Sequence, residues 1–212
     1  MQVPENFNYI LDLLKENEGG YLHRNSSETD VTTGYGIYRE KHPKAQIWAY
    51  IDGLARSLGI TQPSSTWSKI QRDSINHIIN PEMERYYSYL FYKDFYKNTG
   101  LEDAHPLVAP VVISIYANGN KLYNLSLQRA LNAMIKDGNI KYPKLVEDGV
   151  VGPKTLSVFK EVSKSGGNIL NEKLKLLILL YAKTYYANLI HSRPNDYLRY
   201  ILGWDDRVNK LI

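Results

Sequence analysis

Apolar residues recur at three- and four-residue spacing along most of this chain, and Pro or Gly repeatedly interrupts the pattern, which confines the fold to a series of separate helices. Phe7, Leu11 and Leu14 make the first stripe, and Glu18 falls on its continuation, whereas Glu16 falls with Asp12 and Glu5 on the polar side. Pro43 can open a second helix that carries Ile47, Ile51, Leu54 and Leu58 inward, with Gly59 closing it. Ser65 or Thr66 can cap a third through Ile70 and Ile78; after the break at Asn80-Pro81, Met83, Tyr87, Leu90 and Phe91 continue an inward stripe. Pro106 begins LVAPVVISIYA, apolar enough for a buried central helix ending near Asn118-Gly119. Asn124 can cap a helix through Leu127, Leu131 and Met134, and Asp148-Gly149 to Gly152-Pro153 reads as a tight turn into a helix with Leu156 and Phe159. Gly166-Gly167 separates this from a long helix over Leu170, Leu174, Leu177, Ile178, Tyr181 and Tyr185. Strand signal is confined to residues 20–38, where Tyr, Val, Thr and Gly alternate as in a short hairpin.

These elements predict a mainly α fold, a helical bundle around a buried central helix with one small β-hairpin lobe after the first helix. The length of 212 residues suffices for one compact domain, or a domain and a small companion. No apolar run approaches the roughly 18 residues of a membrane span, so stable membrane insertion is not expected. The N-terminal residues carry acids and periodic apolar positions, which argues against a signal peptide. With no cysteine, thiol nucleophiles and Cys-based metal sites are excluded, and the five histidines lack a paired spacing for zinc. A net charge of +4 leans toward an anionic partner. The lysines and arginines are scattered, which disfavours nucleic acid.

The stretch from Glu18-Gly19-Gly20-Tyr21 to Thr33-Gly34-Tyr35-Gly36-Ile37 is the best candidate for chemistry. A glutamate on an apolar stripe at a helix C-terminus meets desolvation and the negative end of the helix dipole, both of which favour its protonated form. Such a carboxyl suits a general acid toward a glycosidic oxygen, and Gly19-Gly20 leaves room for a polymer. A second polar group is then needed to position water or stabilise the sugar cation, for which Glu28, Asp30, Thr32 and Thr33 are candidates. The competing structural reading is a C-capped helix end followed by a hairpin turn. Tyr21, Tyr35, Tyr38, Trp48 and Trp67 lie in or near this half and could stack on sugars.

The ordered set of EGGY, an acidic polar loop, TGYGI, DGVVGPKTL and GWDDRV resembles glycoside hydrolase family 108, lysozyme-like N-acetylmuramidases with an accompanying peptidoglycan-binding region. The resemblance spans nearly the whole chain. It implies a lysozyme-like α+β fold, with a catalytic region over 1–120 and a helical peptidoglycan-binding region over 121–212 packed with it as one compact unit. It also implies cleavage of the β-1,4 bond between N-acetylmuramic acid and N-acetylglucosamine, with Glu18 as the acid and Thr33 as the threonine before Tyr-Gly-Ile. The chain departs from the family in its Glu28-Thr29-Asp30-Val31-Thr32 stretch, which lacks the usual Gly-Gly. Register places Glu28 on the family's aspartate, residue type favours Asp30, and the register of related phage lysozymes would put Thr32 in place of Thr33. Glu18, Asp30 and Thr33 are thus the expected catalytic set, with Glu28, Tyr21 and Tyr35 as substrate-binding residues.

The resemblance implies no metal or cofactor, a glycan-strand partner and a monomer. It further implies synthesis in the cytoplasm and action in the periplasm or wall after holin- or secretion-dependent release. The alternatives are a lytic transglycosylase and a non-catalytic peptidoglycan-binding protein. Trp204 and Arg207 are expected to pack the C-terminus.

Overall fold

A computed structural model of the chain describes residues 2–25 and 28–197. The chain divides into two compact units, Met1–Phe95 and Tyr96–Ile212. This division lies upstream of the expected boundary at residue 120. Its physical basis is the apolar central segment, which packs with the helices that follow it.

In the first unit, α1 (Glu5–Glu18) buries Phe7, Ile10, Leu11 and Leu14, as its period predicts. The stripe leaves the core at its last turn, and Glu18 is exposed. Helix α2 (Ile47–Ser57) buries Ile47, Trp48, Ile51 and Ala55, and Leu58 is exposed beyond its end. Ser65 and Thr66, either of which is expected to supply the cap, lie in a 3-10 turn (Ser64–Thr66) instead. The cap of α3 (Lys69–Ile78) is Ser68, whose hydroxyl accepts from the Gln71 N–H while the Gln71 side chain returns to the Ser68 N–H. Of the isoleucines on α3, Ile75 is inward and Ile70 is 77% exposed. Helix α4 (Pro81–Tyr96) is turned relative to the apolar stripe expected for it: Glu84, Ser88, Tyr89, Tyr92 and Tyr96 are buried, whereas Met83, Tyr87, Leu90 and Phe91 are only half-buried.

Among the described residues the expected β-hairpin lobe is not seen. Residues 20–38 make two isolated antiparallel bridges, both at Thr32, to His23 and to Tyr38. Pairing stops on one side because the Asn25 N–H is taken by the Glu28 carboxylate, 2.9 Å away. On the other side the chain crosses itself so closely that a Cβ on Gly34 would lie 2.5 Å from the Gly20 carbonyl carbon. The Leu22 N–H and C=O turn instead to the Asn76 side-chain amide of α3, at 2.8 and 3.0 Å.

In the second unit, α5 (Ala109–Asn118) is the buried apolar helix, with Val111, Val112 and Ile115 fully enclosed and Pro110 in its first turn. It packs on α6 (Asn120–Lys136) and α8 (Gly167–Ser192). Leu127, Leu131 and Met134 of α6 are buried as expected, but α6 begins at Asn120. Asn124 is inside it and donates to the Gly149 carbonyl rather than capping. In the following turn Asp148 accepts from Gln128 and from the Val150 N–H, and Pro153 opens α7 (Pro153–Ser165) at its first position. Asn171, Leu174, Ile178 and Ala182 carry the inner face of α8, and α9 (Pro194–Tyr197) follows. Trp204 and Arg207 lie outside the described residues. Among those residues no helix is long and apolar enough to cross a membrane.

Candidate active site

The end of α1 is a left-handed glycine cap: Gly19 has φ 88° and its N–H returns to the Lys15 carbonyl at 3.1 Å. This stops the helix with the Glu18 side chain at its exposed end. The turn Thr33–Ile37 comes back against it. A Cβ on Gly36 would lie 2.8 Å from both Cγ and Cδ of Glu18, so the Glu18 carboxyl rests on the bare face of Gly36. A side chain at position 36 would push that carboxyl away.

Thr33 builds this turn from within. It is fully buried, and its Oγ1 accepts the N–H groups of Tyr35 and Ile37 at 3.3 and 3.1 Å. Tyr92 of α4 donates from its hydroxyl to the Tyr35 carbonyl at 2.5 Å, and its own pKa is raised by burial and then by the Glu18 charge. The Tyr35 ring is 1% exposed, with Lys15 Nζ 5.6 Å from its centre, and burial raises its hydroxyl pKa. A ring so enclosed has no face for a sugar, which corrects the expected stacking role. Tyr21 is 57% exposed and stands edge-on to His23 at 5.7 Å. Trp48 and Trp67 are core residues that donate from their indoles to the carbonyls of His42 and Gln62.

The loop carboxylates are held by their own surroundings. Asp30 Oδ1 accepts from the Val31 N–H and from Ser64 at 2.8 and 2.6 Å, which fastens the loop to the 3-10 turn. Glu28 accepts from Asn25 through both oxygens and from Thr32 Oγ1 at 3.2 Å. Tyr38 and Thr29 both bond to Glu40, and those two bonds lower the Glu40 pKa. The turn therefore brings Glu18 together with Gly36, while Asp30 and Glu28 are tied to Ser64 and Asn25.

Sequence reasoning missed Glu84. It is 4% exposed, its pKa is raised chiefly by burial, and the Lys15 charge and the Gly34 N–H oppose that shift. The Glu84–Ser88–Tyr92–Tyr96 spacing is a helical stripe, but its polar members conceal it from a search for apolar periodicity. Among the described residues no group of three or more His, Asp or Glu could hold a metal ion.

A family described as Predicted Peptidoglycan domain matches residues 124–209. The match takes in most of α6, the Asp148–Pro153 turn, α7 and α8. No curated protein matches the chain. The family match supports peptidoglycan as a partner of this chain.

Proposed function

We propose that the chain is a muramidase that hydrolyses the β-1,4 bond between N-acetylmuramic acid and N-acetylglucosamine, with Glu18 as general acid. The observation that carries this reading is the exposed Glu18 carboxyl at the end of α1, resting on Gly36 with no side chain between them. A glycosidic oxygen can approach such a group, and the two glycines after it leave space for a polysaccharide. Resemblance to family 108 supplies the reaction, and the match at 124–209 supplies a reason for the enzyme to stay on peptidoglycan. Asp30 or Glu28, with Thr33, would orient water or stabilise the oxocarbenium-like state once glycan is bound. No metal or cofactor takes part in this reading, and action in the wall would follow holin- or secretion-dependent release.

Glu18→Gln is expected to lower the release of reducing ends from purified peptidoglycan by about 10²-fold or more, the scale of a lost general acid. Binding to the same material and the helical circular dichroism should be retained. Near-normal release by the variant would remove Glu18 from the mechanism.

A second reading, a lytic transglycosylase, is favoured by the bonds already made by Asp30 and Glu28, because that reaction needs a single carboxylate. Mass spectrometry of the released muropeptides separates the two: reducing ends for hydrolysis, anhydro products for the transglycosylase.

A further inference from the structure

The Thr33–Ile37 turn is closed by its own backbone: the Gly36 N–H donates to the Thr33 carbonyl at 3.0 Å and the Thr33 N–H to the Ile37 carbonyl at 3.1 Å. Tyr92 ties this turn to α4, because its hydroxyl donates to the Tyr35 carbonyl at 2.5 Å. That carbonyl belongs to the peptide group joining Tyr35 to Gly36. Peptide groups are planar, so a fixed oxygen also fixes the direction in which the Gly36 N and Cα lie. The same peptide is held at its other edge by the Gly36 N–H bond to Thr33. Gly36 then carries the Glu18 side chain, where an added Cβ would lie 2.8 Å from Cγ and Cδ. The donor is itself anchored: the buried Tyr92 ring stands edge-on to Phe91 at 5.0 Å and to Phe95 at 6.4 Å.

We propose that Tyr92 is a positioning residue for the site: its hydroxyl pins the Tyr35–Gly36 peptide and so sets where the Glu18 carboxyl rests. The inference depends on the reading of Glu18 as the acid. Tyr92 is enclosed and its proton is given to Tyr35, so its effect passes through the backbone of the turn. Gly36 makes that support exacting. It has no side chain to cushion the contact, so a shift of the backbone there is a shift of the carboxyl lying on it. Burial raises the Tyr92 pKa, which keeps the hydroxyl a donor at neutral pH. A matched comparison lies one turn along the same helix. Tyr96 is also buried and its hydroxyl also donates to a backbone carbonyl, but that carbonyl is Ile113 of α5, at 3.1 Å.

Two matched variants of the full chain test this. Tyr92→Phe removes one hydroxyl and keeps the ring, and Tyr96→Phe does the same where the bond leads elsewhere. On soluble glycan strands from purified peptidoglycan, Tyr92→Phe should lower kcat by about 10–100-fold with little change in KM, the scale of a small misplacement of the acid. Tyr96→Phe should keep both constants while losing a comparable resistance to urea. Amide exchange gives a readout independent of lysis. The Gly36 N–H should exchange about 2–10-fold faster in Tyr92→Phe, the loosening expected of one lost hydrogen bond, and at the wild-type rate in Tyr96→Phe. In the wild type itself, NMR should find the Tyr92 phenol proton protected from solvent. Wild-type kcat in Tyr92→Phe, an equal loss of kcat in both variants, unchanged Gly36 exchange in Tyr92→Phe, or an unprotected phenol proton each overturns the inference. If instead Glu18→Gln remains fully lytic while Gly36 exchange rises in Tyr92→Phe alone, the reading of Glu18 fails and the hold of Tyr92 on the turn stands.

Discussion

Gly36 and Gly59 share nearly the same left-handed backbone, with φ of 79° and 74°, but differ in what surrounds them. Nothing lies within 4 Å of a Cβ added at Gly59, while at Gly36 it meets the Glu18 side chain at 2.8 Å. Alanine at either position should cost about 1–2 kcal/mol from the backbone alone. The flexible Glu18 side chain can yield, so Gly36→Ala should unfold in urea much as Gly59→Ala does and yet, under the proposed muramidase reading, lose most of the release of reducing ends. Equal activity in the two variants would dissociate Gly36 from the site. Glu84 adds a pH dependence with a definite sign. Its pKa is raised by burial above the ordinary 4.5, so the folded chain keeps a proton that the unfolded chain releases. Its contribution to stability is therefore whole below the unfolded value and is lost as pH rises through the folded one. Urea titrations of the wild type and Glu84→Gln across pH should differ by that slope, and parallel curves would deny it.

At the scale of elements, the extended segments are held by side-chain amides on helices instead of by strands. Asn76 of α3 brackets Leu22, and Asn132 of α6 brackets Leu145, accepting its N–H at 2.7 Å and donating to its carbonyl at 3.0 Å. Each amide imitates a β-neighbour for a single residue, which is enough to satisfy the backbone but not to propagate a ladder. Asn132→Ala leaves both Leu145 groups without their partner and should cost about 2 kcal/mol or more, since each buried orphan costs about 1–3 kcal/mol. A change below about 0.5 kcal/mol in urea unfolding would contradict this. Helix α4 buries Glu84 and Ser88 beside Tyr89 and Tyr92, so its core face is not its most apolar one.

For the molecule as a whole, a net charge of +4 and a pI near 9.0 stand beside the match of residues 124–209 to a Predicted Peptidoglycan domain. If the charge contributes to holding the wall, retention of Glu18→Gln on purified sacculi should weaken several-fold between 0.1 M and 1 M salt. Over that interval the screening length falls from about 10 Å to about 3 Å. Unchanged retention would show that the charge takes no part.

Local patterns in the sequence determined most of the helices and the Asp148–Pro153 turn. Periodicity, proline and glycine act over a few residues, and the buried faces of α1 and α6 follow from them. Helical phase put Glu18 on the buried stripe and Glu16 on the polar side, but Glu18 sits where the stripe leaves the core and both are exposed. Tertiary structure decided the rest. It enclosed Tyr35, tied Asp30 to Ser64 34 positions away, set Asn76 against Leu22 54 positions away, and turned α4 to bury Glu84. None of these has a local signature, because each depends on segments far apart in the chain being brought together.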